Sequence, residues 1–176
     1  MTVINEKNMG ARLILLGPPG AGKGTQAKLL SNSLKITHIA SGDLFRHHQN
    51  EGTILGNRAK EYMAKGLLVP DEITIEMVLD KISTLGSTGF LLDGFPRNVA
   101  QAEALDDALA FHSQSIDNAI LIRVPYEELV NRLSGRFICG KCQTPYHVVA
   151  APPAVDGICD HCNGNLYQRK DDTREA

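Results

Sequence analysis

Tryptophan is absent, aromatic side chains make up 5% of the chain, and no apolar run approaches bilayer-spanning length. A membrane helix needs about 20 successive apolar residues, so none is expected. Excess charge is also lacking: the formal net charge is -2. That leaves no polybasic surface for nucleic acid or anionic lipid, and the expected partners exclude both. The first ten residues combine neither an apolar core nor a small-residue cleavage pattern, so no signal peptide is read and a cytoplasmic location is expected. Cysteine is missing everywhere except one short stretch, which holds all four: Cys139, Cys142, Cys159 and Cys162. In a reducing compartment such a cluster binds metal rather than forming disulfides.

At 176 residues, one main domain with room for small inserts is expected. Ala11 to Leu16 is a continuous apolar run of strand length, closed by Gly17-Pro18-Pro19-Gly20. Continuity rather than alternation fits a strand covered on both faces, as in a parallel sheet. Beyond Gly22 the pattern turns helical, with Ala27, Leu30 and Leu34 on one stripe. Ile36 to Ala40 reads as a short strand, and Ser41-Gly42-Asp43 offers capping side chains to a helix over Leu44 to Gln49. Further helices are expected from Ile54 to Lys65 and from Pro70-Asp71-Glu72 to a stop at Gly86. Phe90-Leu91-Leu92 is a buried strand, followed by a helix with Ala100, Ala104, Leu105 and Ala108 inward. Ala119 to Val124 is another strand, and Pro125-Tyr126-Glu127-Glu128 opens the next helix. Strands alternating with helices give an α/β fold with a parallel sheet flanked by helices. From Cys139 to Asn165, cysteine, glycine and proline turns mark a small insert.

Gly17-Pro18-Pro19-Gly20-Ala21-Gly22-Lys23 fills the phosphate-loop spacing between a strand and a helix. Glycines let backbone N–H groups converge on phosphate oxygens, the helix start adds positive potential, and Lys23 reaches the outer phosphates. The plain alternative is a glycine-rich turn with no ligand. Gly24 follows the lysine, and the hydroxyl comes one place later at Thr25. Two Cys-x2-Cys pairs separated by sixteen residues have the spacing of a four-thiolate zinc site. Four thiolates leave no open position, so a structural zinc is expected, and His147 is left as structural.

Gly20-Ala21-Gly22-Lys23-Gly24-Thr25-Gln26 resembles the phosphate loop of adenylate kinases and their nucleoside monophosphate kinase relatives. So do Ser41-Gly42-Asp43-Leu44-Phe45-Arg46, Phe90 to Arg97, and Arg169-Lys170-Asp171-Asp172, in the family's order. The resemblance implies a P-loop NTPase-type core with a parallel five-stranded sheet, a mobile NMP-binding insert and a lid over ATP. The zinc-bearing lid resembles one branch of adenylate kinases. The expected boundaries are 1–39, 70–134 and 173–176 for the core, 40–69 for the insert and 135–172 for the lid. The implied reaction is reversible phosphoryl transfer between ATP and AMP, giving ADP, with Mg²⁺, by a monomer.

Phosphoryl transfer needs charge neutralisation and alignment, so arginines, a lysine and an acid are expected together. The resemblance assigns Gly20, Ala21, Gly22, Lys23, Gly24, Thr25, Arg136, Pro145 and Tyr146 to ATP. It assigns Ser41, Arg46, Leu67, Leu68, Val69, Gly94, Phe95, Pro96, Arg97, Gln101 and Arg169 to AMP. Lys23, Asp93, Arg97, Arg132, Arg136 and Arg169 are the catalytic set, and Asp93 is suited to hold magnesium through its waters. Arg46 and Arg97 look like a phosphate-gripping pair, and the Gln101 amide suits the adenine edge. Read without the family, several of these positions are bland. Asp93 is a turn residue, Gln101 a surface glutamine, Ser41 a helix cap and Tyr146 a packing side chain. Arg132 and Arg136, four apart, would share a helix face, and Glu128 offers Arg132 an ordinary ion pair.

A kinase for UMP, CMP or a deoxynucleotide is the nearest rival, disfavoured because UMP/CMP kinases of this group resemble the short-lid form. A zinc-ribbon module for nucleic acid is disfavoured by the acidic balance. Family members run a few dozen residues beyond Ala176, so the chain is expected to stop short of the family's end.

Overall fold

The computed structural model describes residues 10–64, 69–168 and 172, so Leu67, Leu68 and Arg169 lie outside the described residues. The chain divides into two compact units, one built from Gly22–Ile122 with the chain up to Gly17, the other from Arg123 onward with Pro18–Ala21.

In the first unit, strands β1 (Arg12–Leu16), β2 (Thr37–Ala40), β3 (Phe90–Asp93) and β4 (Asn118–Leu121) form one sheet in the order β2-β3-β1-β4. Every pairing is parallel. Helices α1 (Lys23–Leu34), α2 (Ser41–Asn50), α3 (Ile54–Ala64), α4 (Asp71–Ser83) and α5 (Val99–Phe111) connect them. Side chains of a strand alternate between the two faces of its sheet. Leu13, Leu15 and Leu91 accordingly pack with Ala27 of α1 and Ile36 in one buried cluster. Ile14, Phe90 and Leu92 pack with Val78 of α4 and Leu105 and Leu109 of α5 in another. Each face therefore has its own core, which is why the strand sequences run apolar without alternation. A third cluster, Leu55, Ala59, Ile73 and Met77, joins α3 to α4.

Four strands of the expected five-stranded sheet lie among the described residues. The apolar run at β4 does not mean burial. Ile120 is 37% and Leu121 52% exposed, and β4 pairs with β1 alone among the described residues.

Helix starts also differ from expectation in instructive ways. Ser41 is the first residue of α2 rather than its cap: Ala40 occupies the cap without a side-chain bond, and the Ser41 hydroxyl donates to Gly94 O at 2.9 Å. On α5 the inward stripe is shifted by one residue. Ala100 is exposed while Gln101, Leu105 and Leu109 are buried, a spacing of four that follows one helix face. Burying Gln101 is tolerable because both ends of its amide are hydrogen-bonded, as described below. On α1, Ala27 and Ser31 are buried and Leu34 is exposed.

The second unit holds α6 (Tyr126–Ser134) and a small antiparallel sheet in the order β6-β5-β7, with β5 Arg136–Cys139, β6 Pro145–His147 and β7 Leu166–Tyr167. Arg132 and Arg136 do not share a helix. α6 ends at Ser134 with Gly135 as its cap, and Arg136 opens β5. A Cβ on Gly135 would sit 2.5 Å from His147 Nε2, so the glycine lets the imidazole lie against the backbone where the helix stops. That ring is tied on both sides. Nδ1 accepts the N–H groups of Val149 and Ala150 at 3.1 Å each, which leaves Nε2 to donate to Asn131 O at 3.2 Å. Both ring nitrogens of His147 are therefore occupied by backbone partners.

Candidate active site and metal centre

In parallel α/β sheets, ligands bind outside the carboxyl ends of the strands. β1 and β3 are neighbours, with Leu15 opposite Asp93, so the turn after β1 and the acid ending β3 emerge side by side. The turn runs through Gly17 and Gly22, at φ 148° and 91°, into α1. A positive φ of this kind is readily adopted only by glycine, so the first unit's ends of the loop depend on these two residues. Lys23 Nζ donates to Gly17 O at 2.9 Å, folding the ammonium back over the loop. Asp93 is mostly buried and faces the first turn of α1, since a Cβ on Gly24 would lie 3.6 Å from its Oδ2. His38 Nε2 lies 3.6 Å from the same oxygen and has no hydrogen-bond partner among the described residues. Thr25 is exposed on the same helix. An acid beside a lysine and a phosphate-type loop is the hard oxygen donor that magnesium prefers, so the residues fit the ion.

A second group gathers where β3 ends and α2 begins. Ser41 Oγ donates to Gly94 O and accepts from Arg97 Nη2 at 3.3 Å, while Arg97 Nε donates to the same Gly94 O at 2.8 Å. Gly94 has φ 78°, and a Cβ there would approach Ser41 Oγ to 2.8 Å, so only glycine fits. Arg97 is exposed and has two of its five N–H donors committed in these contacts, which leaves three for an anion. Arg46 pairs with Asp43, one turn earlier on α2. Phe95 is fully buried in the core and Pro96 follows it through a cis peptide. Val69 packs against the cluster joining α3 and α4.

Gln101 is 4% exposed, which overturns the reading of a surface side chain. Its Oε1 accepts Arg97 N–H at 2.9 Å and its Nε2 donates to Asp71 Oδ1 at 2.5 Å. Asn98 closes the ring: its Oδ1 accepts Gln101 N–H at 2.9 Å, capping α5, and its Nδ2 donates to Asp71 Oδ2 at 2.8 Å. Neither Asn98 nor this use of Asp71 was foreseen. The asparagine four residues before Ala102 was a readable cap signal, whereas a link across thirty residues leaves no local trace.

In the second unit, Gly20 (φ 77°) lies against Leu133, whose Cγ would be 2.9 Å from an added Cβ, and Ala21 is buried. Arg132 Nε donates to Glu128 Oε1 at 2.8 Å, the ordinary surface pair that the spacing allowed. Arg136 makes a two-point contact with the fully buried carboxylate of Asp172, its Nε donating at 2.7 Å. That partner, thirty-six residues away, also has no local signal.

The four cysteine sulfurs all lie within 4.8 Å of one another. Two of the pairs are at 3.4 Å (Cys139–Cys162) and 3.5 Å (Cys142–Cys159), and all four cysteines are free. A tetrahedral ion with metal–sulfur bonds of about 2.3 Å sets sulfurs roughly 3.8 Å apart, so the donor set fits zinc. Backbone N–H groups of Lys141 and Cys142 donate to Cys139 Sγ at 3.4 Å each. Tyr146 is buried, its hydroxyl donating to Cys159 Sγ at 3.4 Å and accepting Asp160 N–H at 2.8 Å. That donated bond, with burial, pushes the tyrosine up to about 12. Hydrogen bonds from the Thr144 side chain and backbone bring Cys142 down to about 6. Burial opposes ionisation of Cys159, but bonds from Tyr146 and the backbone of His161 and Cys162 outweigh it and lower its pKa. Cys162 is pushed up to about 12, first by Cys142 and then by burial. A bound cation would favour all four thiolates. Pro145, ahead of Tyr146 on β6, is exposed.

A parallel sheet ending in a phosphate-type loop, a lysine and an adjacent acid is the arrangement of a P-loop nucleotide-binding protein. The comparison with known proteins narrows this. The family model described as adenylate kinase matches residues 15–176. The adenylate kinase of Caldicellulosiruptor bescii is 56% identical over 166 residues, covering 94% of this chain and 77% of the relative. That of Clostridium novyi is 54% identical over 166 residues, with the same shares of 94% and 77%. That of Desulforamulus reducens is 54% identical over 165 residues, covering 93% and 78%. The chain belongs to the adenylate kinase family and is a nucleoside monophosphate kinase.

Proposed function

We propose that the chain catalyses ATP + AMP = 2 ADP, and so keeps adenine nucleotides in balance. The observation that carries this reading is the register of β1 with β3, which brings the phosphate loop and Asp93 out at the same end of the sheet. In-line phosphoryl transfer needs two phosphates held end to end with their charge neutralised, and little covalent help.

Residues Gly20 to Thr25 take the ATP phosphates in this scheme, with Lys23 shifting from Gly17 O to the outer phosphates. Asp93 would hold magnesium, which when bound would supply charge neutralisation to the phosphates. Arg46 and Arg97 grip the AMP phosphate, Arg97 with the donors that Gly94 and Ser41 leave unused. Ser41, Val69, Gly94, Phe95, Pro96 and Gln101 line the AMP side, along with Leu67 and Leu68. Arg132, Arg136 and Arg169 stabilise the transferring group, and Arg136, Pro145 and Tyr146 flank ATP. Because the Tyr146 hydroxyl is committed to Cys159 and Asp160, any contact with the nucleotide falls to its ring or backbone. The four thiolates hold a structural zinc. We assign 40–69 to the NMP-binding insert, 135–172 to the lid and the rest to the core. A cytoplasmic monomer without nucleic-acid or membrane partners completes the reading. No helix among the described residues is long and apolar enough to cross a membrane.

The test is ADP formation from ATP and each monophosphate. AMP is expected to exceed CMP, UMP and GMP by about 10² in kcat/KM, since a mismatched base leaves buried polar groups unpaired. Lys23→Met is expected to remove most of the rate while the fold persists. Equal rates with CMP, or a near-normal Lys23→Met, would overturn the reading.

A further inference from the structure

We propose that the Asp71 carboxylate is a positioning residue that fixes which way round the Gln101 amide faces, and thereby makes the site read adenine rather than a 6-oxopurine. This rests on the reading above that Gln101 meets the base of AMP.

An amide side chain has an oxygen and an NH₂ of nearly equal size, and nothing in its shape decides which sits where. Here chemistry decides. Arg97 N–H can only donate, so the atom 2.9 Å from it must be Oε1. The Asp71 carboxylate, when ionised, can only accept, so the atom 2.5 Å from it must be Nε2. Asp71 is itself held: its other oxygen accepts from Asn98 Nδ2 at 2.8 Å, and Asn98 Oδ1 is anchored by Gln101 N–H at 2.9 Å. The network of four residues has one consistent assignment of donors and acceptors, and reversing the Gln101 amide would set N–H against N–H at Arg97 and oxygen against oxygen at Asp71. Gln101 is 4% exposed, so water cannot relieve either clash.

The amide spends one lone pair and one N–H on this network. It keeps one acceptor and one donor, in an order it cannot change. Adenine offers an N6 amino donor beside an N1 acceptor and matches that pair in one orientation. Hypoxanthine and guanine offer O6 as acceptor beside N1–H as donor, the reverse order, and would need the amide flipped. Discrimination by such an arrangement comes from the polar groups that the wrong base leaves unpaired. An α4 residue that never touches the nucleotide in this scheme therefore helps to set base choice.

The experiment measures dissociation constants of AMP and IMP by calorimetry on the full chain, comparing the original with Asp71→Asn, Asn98→Ala and Gln101→Leu. IMP differs from AMP only in the reversed donor and acceptor. The unaltered chain is expected to prefer AMP by about 10². Asp71→Asn, of the same shape but able to donate, is expected to reduce that ratio about tenfold. A mere brace between helices would weaken AMP and IMP alike and leave the ratio unmoved. Asn98→Ala removes the cap and the brace but keeps the carboxylate, so it should lower the melting temperature and hold the ratio within about threefold. Should Asp71→Asn not fold, Asp71→Ser, whose hydroxyl can donate or accept, reads the same ratio. If Gln101→Leu collapses the preference and the Asp71 variants do not, the proposal is wrong and the AMP reading stands. A preference that survives Gln101→Leu removes Gln101 from the base and overturns both.

Discussion

The two units are held together by different physics. Around the parallel sheet, Leu91 and Leu92 are fully buried on opposite faces, each within its own apolar cluster. Each such side chain contributes about 1.5–3 kcal/mol by leaving water. Among the described residues, the cysteine-bearing unit clusters only Cys139, Tyr146 and Cys159, with Ile138 and Ala21 buried besides, and two of the cluster are candidate metal ligands. Val148, Val149 and Val155, which in the other unit would be core residues, are exposed there. A sheet with layers on both faces stabilises itself, whereas a small antiparallel sheet with little to bury relies on a cross-link. The contrast predicts that the two units fail separately and by different treatments.

The largest effect should come from removing metal. Structural zinc in a thiolate cage contributes apparent binding energies of about 10–16 kcal/mol at neutral pH, much of it spent on folding the segment that carries the ligands. A strong chelator is expected to raise amide exchange across β5, β6 and β7 to near-unfolded rates, with β1 and β3 still protected. Elemental analysis should give one zinc per chain beforehand. Protection of β5 that survives full metal loss would show that the small sheet suffices alone and would erase the contrast.

Leu92→Ala should do the reverse at a smaller scale. Truncating a fully buried leucine costs about 2–5 kcal/mol through lost burial and the cavity left behind. The melting temperature of the sheet unit is expected to drop, with zinc content unchanged. Loss of zinc along with sheet stability would mean that the units share one cooperative transition.

The same contrast explains what could be read in the sequence. β1 and β3 were legible because a strand covered on both faces must be apolar throughout, and Gly17, Gly22 and Lys23 because a phosphate loop demands those residue types at that spacing. The cysteine cluster was legible because ligand pairs two residues apart leave a mark that needs no knowledge of the rest of the chain. β4 was legible as a strand from the apolar run that starts at Ala119, though composition alone does not say how far its side chains are covered. Gln101 and Asp71 were illegible as a pair, since a buried hydrogen bond between α4 and α5 has no periodicity. Arg136 followed the same rule. Its position beside Arg132 suggested a shared helix face, and only the placement of His147 against Gly135 shows why the helix stops between them.

The smallest effect on stability belongs to a charge contact in the second unit. Arg132 and Glu128 form an exposed ion pair one helical turn apart, with about half of each side chain open to solvent. Pairs of this kind contribute roughly 0.3–0.5 kcal/mol, because water and salt screen the attraction and two long side chains must be held still. Arg132→Ala should therefore leave the melting temperature within about a degree, and adding salt should erase even that difference. If Arg132 turns from Glu128 to the transferring phosphoryl, the same substitution should lower kcat by about 10²–10³, since preorganised charge at a transition state counts for far more than charge at a surface. Glu128→Gln separates the two roles. Releasing the arginine from its partner should leave kcat unchanged or raise it, while a purely structural pair would make both substitutions equally mild in rate. A rate loss in Glu128→Gln matching that in Arg132→Ala would mean that the ion pair itself, and not the arginine's charge toward substrate, is what activity needs.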